Sequence, residues 1–204
     1  MGFDSSAFRQ VIGQCMAKSI LSLFDYSGNW PKYYKENGYD VLQVDIKYDL
    51  DVLKLEKADL PDNLYGVLAA PPCTDFSGSG AQYWKIKDSD GRTNASLALV
   101  DKTLEIISWF PELKFWALEN PVGRLSTLRP SLGKPWYFQP CDYGDAYTKK
   151  TGLWGKFNKD LVKTPVKPDP NSWIMKLGGK SERTKELRSM TPLGFAKAFY
   201  EANK

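Results

Sequence analysis

Tyr65-Gly66-Val67-Leu68-Ala69-Ala70 runs straight into Pro71-Pro72-Cys73-Thr74-Asp75-Phe76-Ser77, and this junction organises the reading of the chain. The leading run is short, uncharged and ends at a proline pair, the pattern of a buried strand. Two prolines fix the backbone and remove two donors, so the chain must leave the sheet there. A cysteine at the carboxyl end of a central strand stands where open α/β sheets place their chemistry. Ser77-Gly78-Ser79-Gly80 then predicts a pliable loop able to close over a bound molecule. By itself this stretch favours a structural cysteine beside a turn, so the rest of the chain has to decide.

Working outward, Ser19 to Phe24 reads as a first strand and Tyr39 to Val44 as a second, with a helix over Trp30 to Asn37 stopped by Gly38. Asn94 to Phe110 carries a helical pattern closed by Pro111, and Leu113 to Leu118 reads as a strand ending in Glu119-Asn120-Pro121. Lys134 to Phe138 and Thr151 to Trp154 are later strands, and Pro192 to Asn203 is a final helix with Pro192 near its start. Ser5 to Lys18 reads as an amphipathic helix with Phe8, Val11, Ile12, Cys15 and Met16 on one face. Pro165, Pro168 and Pro170 make 158–171 irregular. Alternating strand and helix predicts a doubly wound, Rossmann-like α/β sheet, mostly parallel, with helices on both faces. Its strand ends at 24–28, 45, 71–77 and 119–121 then gather on one edge, where such sheets bind ligands.

Composition narrows the chemistry. The 204 residues fit one domain over 1–204, and 42% apolar with 25% charged content excludes disordered and fibrous classes. No apolar stretch is long enough to span a bilayer, and Met1 to Lys18 lacks the order of a secretory signal, so a cytoplasmic protein is expected. Three widely spaced cysteines (Cys15, Cys73, Cys141) argue against a disulfide framework and against a zinc site. The chain has no histidine, which excludes Ser-His-Asp and Cys-His catalysis and leaves proton transfer to carboxylates, lysines or backbone. A formal charge of +4 is compatible with a polyanionic partner.

Phe24-Asp25-Tyr26-Ser27-Gly28 precedes a helix, so Gly28 can let the backbone pass close to a ligand beside free amide donors. Asp45 ends the second strand about twenty residues on, the usual place for an acid that grips ribose hydroxyls. Turn chemistry and helix capping explain each alone; in this order they point to a cofactor. One glycine instead of three suits a nucleoside without phosphates better than a pyrophosphate. Cys73 and Glu119 end two strands of the same sheet. A thiolate is a strong nucleophile, and a carboxyl group in a closed pocket can keep a proton and act as an acid.

These motifs together resemble the cytosine-5 DNA methyltransferases. Phe24 to Gly28 looks like the family's first motif, Asp45-Ile46 its second and Asp59-Leu60 its third. Pro71-Pro72-Cys73 with Phe76-Ser77 is similar to its nucleophile motif, and Glu119-Asn120-Pro121 to its Glu-Asn-Pro. The resemblance covers about residues 20–155 and implies S-adenosyl-L-methionine as cofactor, with Phe24 against the adenine, Asp45 on the ribose and Asp59 on the adenine amino group. It puts Asp25, Tyr26, Ser27, Gly28, Ile46, Leu60, Pro71 and Leu97 around the same molecule. It implies attack by Cys73 on carbon 6 of cytosine, protonation of ring nitrogen 3 by Glu119, and methylation at carbon 5, with the base flipped from its stack. Ser77, Arg92, Asn120, Pro121, Lys149 and Thr151 would meet the nucleic acid.

The chain departs from the family in two places. Where the family carries two arginines, Lys149 and Thr151 stand here, and lysine is no bidentate fork. A long target-recognition domain normally follows; here a short irregular insert at about 155–187, with Trp154, Lys156, Lys159, Lys163, Lys167 and Trp173, leads to Arg188-Ser189-Met190-Thr191. Low sequence selectivity is therefore expected, unless a partner chain supplies recognition. Short relatives of this kind occur in bacteriophages, which implies action on DNA in a bacterial host's cytoplasm. The same chemistry on RNA, single-stranded DNA or a nucleotide stays open, as does a non-catalytic nucleic-acid-binding relative.

Overall fold

The computed structural model describes residues 17–171, 174, 177 and 181–204; the expected helix over Ser5 to Lys18 thus falls almost wholly outside the described residues, as does Trp173. Six strands form one sheet: β1 (Ser19–Leu23), β2 (Asp40–Val44), β3 (Leu64–Ala69), β4 (Phe115–Pro121), β5 (Trp136–Phe138) and β6 (Thr151–Lys156). Their order is β2-β1-β3-β4-β6-β5. The first four are mutually parallel, and β6 runs antiparallel to both β4 and β5. The chain winds outward from β1 to β2 and then returns to the other side of β1 with β3. That reversal opens a crevice at the carboxyl ends of β1 and β3.

Side-chain alternation builds a core on each face. Ile20, Leu68, Phe115, Ala117 and Leu153 point to one layer, where they meet Tyr34 of α1 (Lys32–Glu36). Leu21, Leu23, Val67 and Ala69 point to the other, against Val52, Leu60 and Ile106. The chain between β3 and β4 supplies α2 (Trp84–Ser89) and α3 (Arg92–Ser108), and α4 (Leu125–Leu128) follows β4. After β6 come α5 (Glu182–Ser189) and α6 (Leu193–Asn203); Phe195 and Phe199 of α6 complete the first layer. Gly66 in β3 is required by packing, because a Cβ there would lie 2.2 Å from Cζ of the Phe115 ring.

Several boundaries depart from the sequence pattern for physical reasons. β4 does not stop at Leu118. It runs through Glu119, Asn120 and Pro121, each opposite a residue of β6, because antiparallel pairing with Leu153, Gly152 and Thr151 continues. Residues 78–89 are not a pliable loop but a 3-10 helix (Gly78–Tyr83) followed directly by α2. The insert is irregular over 157–171, yet it is strapped to the core: Leu161 is buried, Thr164 N donates to Asp142 O at 3.0 Å, and Val166 N to Cys141 O at 2.9 Å. It ends in the regular helix α5. Among the described residues no helix is long and apolar enough to cross a membrane.

Candidate active site

The end of β1 carries the sharpest backbone feature. Phe24 has φ of 60°, one of two non-glycine residues at positive φ among those described, and Gly28 follows at 67°. A bulky side chain in that region is strained and persists only where its surroundings fix it. Here the fixing group is Asp25, which is 6% exposed and turned back beneath the loop. Its Oδ1 accepts from Ser27 Oγ at 2.6 Å and from Gly28 N at 3.0 Å. Its Oδ2 accepts from Trp30 N at 3.2 Å and Ser22 Oγ at 3.4 Å. Gln43 of β2 donates to the Asp25 carbonyl at 2.9 Å, tying the loop to the neighbouring strand.

This loop forms one wall of a cleft. Phe24, Asp25, Tyr26, Ser27 and Ala70 line it from β1 and β3, Asp45 and Lys47 from the end of β2. Glu186, Ser189, Met190 and Thr191, from the end of α5 and beyond, close the far side. The cavity volume is about 80 Å³. Lys47 Nζ lies 3.3 Å from Glu186 and 4.6 Å from the Tyr26 ring centroid, so an ion pair and a cation–π contact meet at the rim. Asp45 is half-buried and caps the following turn through Lys47 N at 2.9 Å, while Ile46 stands 69% exposed beside it.

Further along the sheet, past the end of β3 and on β4, stand Cys73 and Glu119. Burial pushes the Cys73 thiol above its ordinary value; Lys149 and Arg188 pull it down, and the Glu119 charge pushes it up again. Glu119, 8% exposed, is likewise raised by burial, with Lys149 opposing and Asp25 adding to the rise. Lys149 Nζ sits 3.7 Å from Glu119 Oε1 and donates to the Arg188 carbonyl at 2.9 Å, in the last turn of α5. One ammonium thus stands in the field of both the thiol and the carboxyl group. An ammonium offers three donors, so its bond to Arg188 leaves others free.

The structure sorts the expected site residues. Phe24 to Ser27 and Asp45 line the cleft; Gly28 lies behind it against Gln43, and Asp25 serves as a staple under the loop. Asn120 is fully buried, its Nδ2 donates to the Pro71 carbonyl at 3.0 Å and so holds the cysteine turn against β4, and its Oδ1 has no partner among the described residues. Thr151 is 1% exposed and its hydroxyl donates to the Lys149 carbonyl at 2.9 Å; it orders the lysine's backbone and does not itself reach outward. Leu97 and Leu60 are core residues, Leu97 under Phe76 and Leu118, Leu60 beside Val52 and Leu64. Asp59 is exposed, outside the cleft lining, and accepts from Glu56 N at 2.8 Å. Arg92 is exposed and forked onto Asp90. Ser77 and Pro121 lie at the open end of the paired loops, where Ser77 bridges Gly123 and Gly78 N donates to Val122 O. Sequence reasoning missed Lys47 and Glu186 on the cleft, because their meeting depends on how α5 packs.

No protein-family model matches the chain, and no curated protein matches it. Among solved structures it is similar to a protein described as a DNA modification methyltransferase encoded within an E. coli prophage, at 20% identity and a TM-score of 0.43. That likeness covers 81% of this chain and 56% of the other, so the chain spans little more than half the length of the prophage protein. It is also similar to the 23S rRNA methyltransferase ErmE, at 10% identity and a TM-score of 0.29 over 99% of both chains. The sheet itself, four parallel strands reversing at β1 and closed by an antiparallel β6, has the α/β Rossmann-like architecture expected from the sequence.

Proposed function

We propose that the chain is an S-adenosylmethionine-dependent methyltransferase that adds a methyl group to carbon 5 of cytosine in DNA through covalent catalysis by Cys73. One observation carries the reading: a half-buried thiol and a buried carboxyl group stand in the field of a single lysine, beside a cleft at the switch point of the sheet.

The cleft residues fit a nucleoside-bearing donor. The strained Phe24 turn brings backbone close to the cavity, Asp45 offers a carboxylate for hydroxyl groups, and exposed Ile46 and Tyr26 offer apolar cover for a ring. When bound, the donor supplies an electrophilic methyl group. All other steps belong to the chain. Cys73, as thiolate, forms a bond to carbon 6 of the pyrimidine while Glu119 gives its proton to nitrogen 3, which turns carbon 5 into a nucleophile. After methylation, the carbon-5 proton passes to water, Cys73 leaves as thiolate, and nitrogen 3 returns its proton to Glu119, which restores the ring. The raised pKa of Glu119 suits its part as an acid, and Lys149 and Arg188, which pull the Cys73 thiol down against its burial, favour the thiolate. With Thr151 in place of an arginine, Lys149 or Lys150 is left to meet the ring carbonyl, and Lys149 is held near Glu119 by its hydrogen bond to Arg188. With the insert strapped to the core, little protein is left to read base edges, so sequence selectivity is low or comes from a partner chain.

Labelled S-adenosylmethionine offered with duplex DNA, single-stranded DNA, RNA and dCMP in parallel tests the reaction and its substrate. Transfer to carbon 5 of cytosine, and a donor-dependent adduct with 5-fluorocytosine DNA that vanishes in Cys73→Ala, is the expected result. No transfer to any of the four, with Cys73→Ala indistinguishable from the parent, would overturn it.

A further inference from the structure

The turn that bears Cys73 has each of its backbone carbonyls taken. Cys73 O accepts from Phe76 N at 3.0 Å and Ser77 N at 2.9 Å. Thr74 O accepts from Lys87 Nζ at 2.5 Å, Asp75 O from Arg124 Nε at 3.1 Å, and Phe76 O from Arg124 N at 3.0 Å. Two cations from separate elements therefore grip consecutive carbonyls. Lys87 comes from α2 and Arg124 from the segment between β4 and α4.

Each cation rests in turn on an acid. Lys87, 6% exposed, pairs at 3.1 Å with Asp75, 8% exposed, and Ser96 of α3 donates to the same carboxylate at 2.5 Å. Arg124 forks onto Asp88 of α2 with two bonds of 2.8 Å. A buried ion pair adds little net stability over a well-packed apolar pair, because both charges must be desolvated. What such a network does supply is a fixed geometry. No step described so far uses these charges, and none of them lines the cleft.

We infer that Lys87 and Arg124, seated on Asp75 and Asp88, form a clamp of positioning residues that holds the Cys73 turn, and with it the thiol, in its attacking position. The inference rests on the reading of Cys73 as the nucleophile. It also accounts for the helical state of residues 78–89. α2 is the clamp's outer jaw, tied by Lys87 to the nucleophile's own turn and by Asp88 to Arg124. Positioning of this kind is worth a large rate factor, since a shift of about 1 Å in a reacting group can lower the rate about a hundredfold.

The test uses the full chain with three variants. Asp75→Asn with Lys87→Met removes both buried charges at once, so that neither is left unpaired, and frees Thr74 O. Arg124→Lys keeps the charge but loses the fork and the Asp75 carbonyl bond. Lys87→Arg is the conservative change. Methyl transfer is measured as kcat and donor KM at equal folded fraction by circular dichroism, and iodoacetamide alkylation is followed across pH by mass spectrometry of the Cys73 peptide. The double variant and Arg124→Lys should lower kcat at least about tenfold with donor KM within about twofold, and alkylation of Cys73 should quicken and begin at lower pH. Lys87→Arg should recover most of kcat. Parent-like kcat and parent-like alkylation in either of the first two variants would overturn the clamp. If the parent transfers no methyl group, the proposed reaction fails, and the alkylation profiles alone then decide the clamp. If the double variant does not fold, Arg124→Lys decides by the same readings.

Discussion

Replacing Asp25 by alanine separates two ways in which an acid beside a donor cleft can act. If Asp25 staples the loop, its loss should be felt first as stability. Its carboxylate accepts from the backbone N–H groups of Gly28 at 3.0 Å and Trp30 at 3.2 Å, and from two hydroxyls. The hydroxyls can turn to other acceptors. Gly28 N keeps a long contact of 3.4 Å to the Asp25 carbonyl, but Trp30 N is buried and is left with no acceptor. Bonds to a charged acceptor contribute about 1.5–3 kcal/mol each. Allowing for the partial replacement at Gly28, Asp25→Ala should lower unfolding stability by about 2–4 kcal/mol, read from urea titrations at constant m-value. Relaxation of the strained Phe24 turn should then weaken binding of S-adenosylhomocysteine about tenfold by calorimetry, and Asp25→Asn, which keeps one acceptor, should fall between. A loss of less than about 0.5 kcal/mol together with abolished binding would refute the staple and make Asp25 a direct contact of the ligand.

Four other outcomes follow from the geometry. Glu119 has a folded-state pKa raised above the unfolded value, so the folded chain holds a proton that the unfolded chain gives up, and stability falls as pH rises from about 4.5 through the raised value. Glu119→Gln should therefore have a higher Tm than the parent at neutral pH, with the gap closing at and below about pH 4, while methyl transfer is lost; an unchanged Tm at neutral pH would count against a buried, penalised carboxylate. Because the reaction needs Glu119 protonated and Cys73 ionised, and burial raises both, the kcat profile should be bell-shaped, and Lys149→Met should move its alkaline limb upward as the thiol loses its neighbouring cation. Gly66→Ala should destabilise by about 1–3 kcal/mol, because the Phe115 ring is confined by Tyr34, Tyr65 and Phe199, and Gly66→Ala with Phe115→Leu should recover part of that loss. Cys73→Ser should fold as the parent does and bind S-adenosylhomocysteine unchanged while failing to trap 5-fluorocytosine DNA, since the thiol does not line the donor cleft.

The parts of this fold legible in the sequence are those written locally. Runs such as Ile20-Leu21 and Val67-Leu68 are long enough to be strands and too apolar to be surface, and the prolines at 71 and 72 mark where the chain leaves β3. Cys73, Glu119, Asp45 and the Phe24 turn stand at strand ends, so reading the strands is enough to place them on one edge of the sheet. What the sequence hides is pairing across distance. Arg124 reaches Asp88, and Lys149 reaches both Glu119 and Arg188; nothing in local composition records such meetings. β4 was read too short because Glu119-Asn120-Pro121 is a poor strand by propensity, yet pairing with β6 overrides it. Leu97 was read toward the cofactor through the family resemblance; the apolar stripe of α3 turns it into the core instead.

Finally, the ion pair between Lys47 and Glu186 spans the rim of a cavity of about 80 Å³, where a bound small molecule ordinarily needs some 300 Å³ or more. Breaking that pair would free the end of α5 from the rim, and both partners of the latch are open to water, at 45% and 38% exposure. Dissolved ions loosen such a latch, and the same ions weaken any grip on phosphates. Turnover on a long polynucleotide should accordingly pass through a maximum as ionic strength rises, whereas turnover on a mononucleotide should climb and level off.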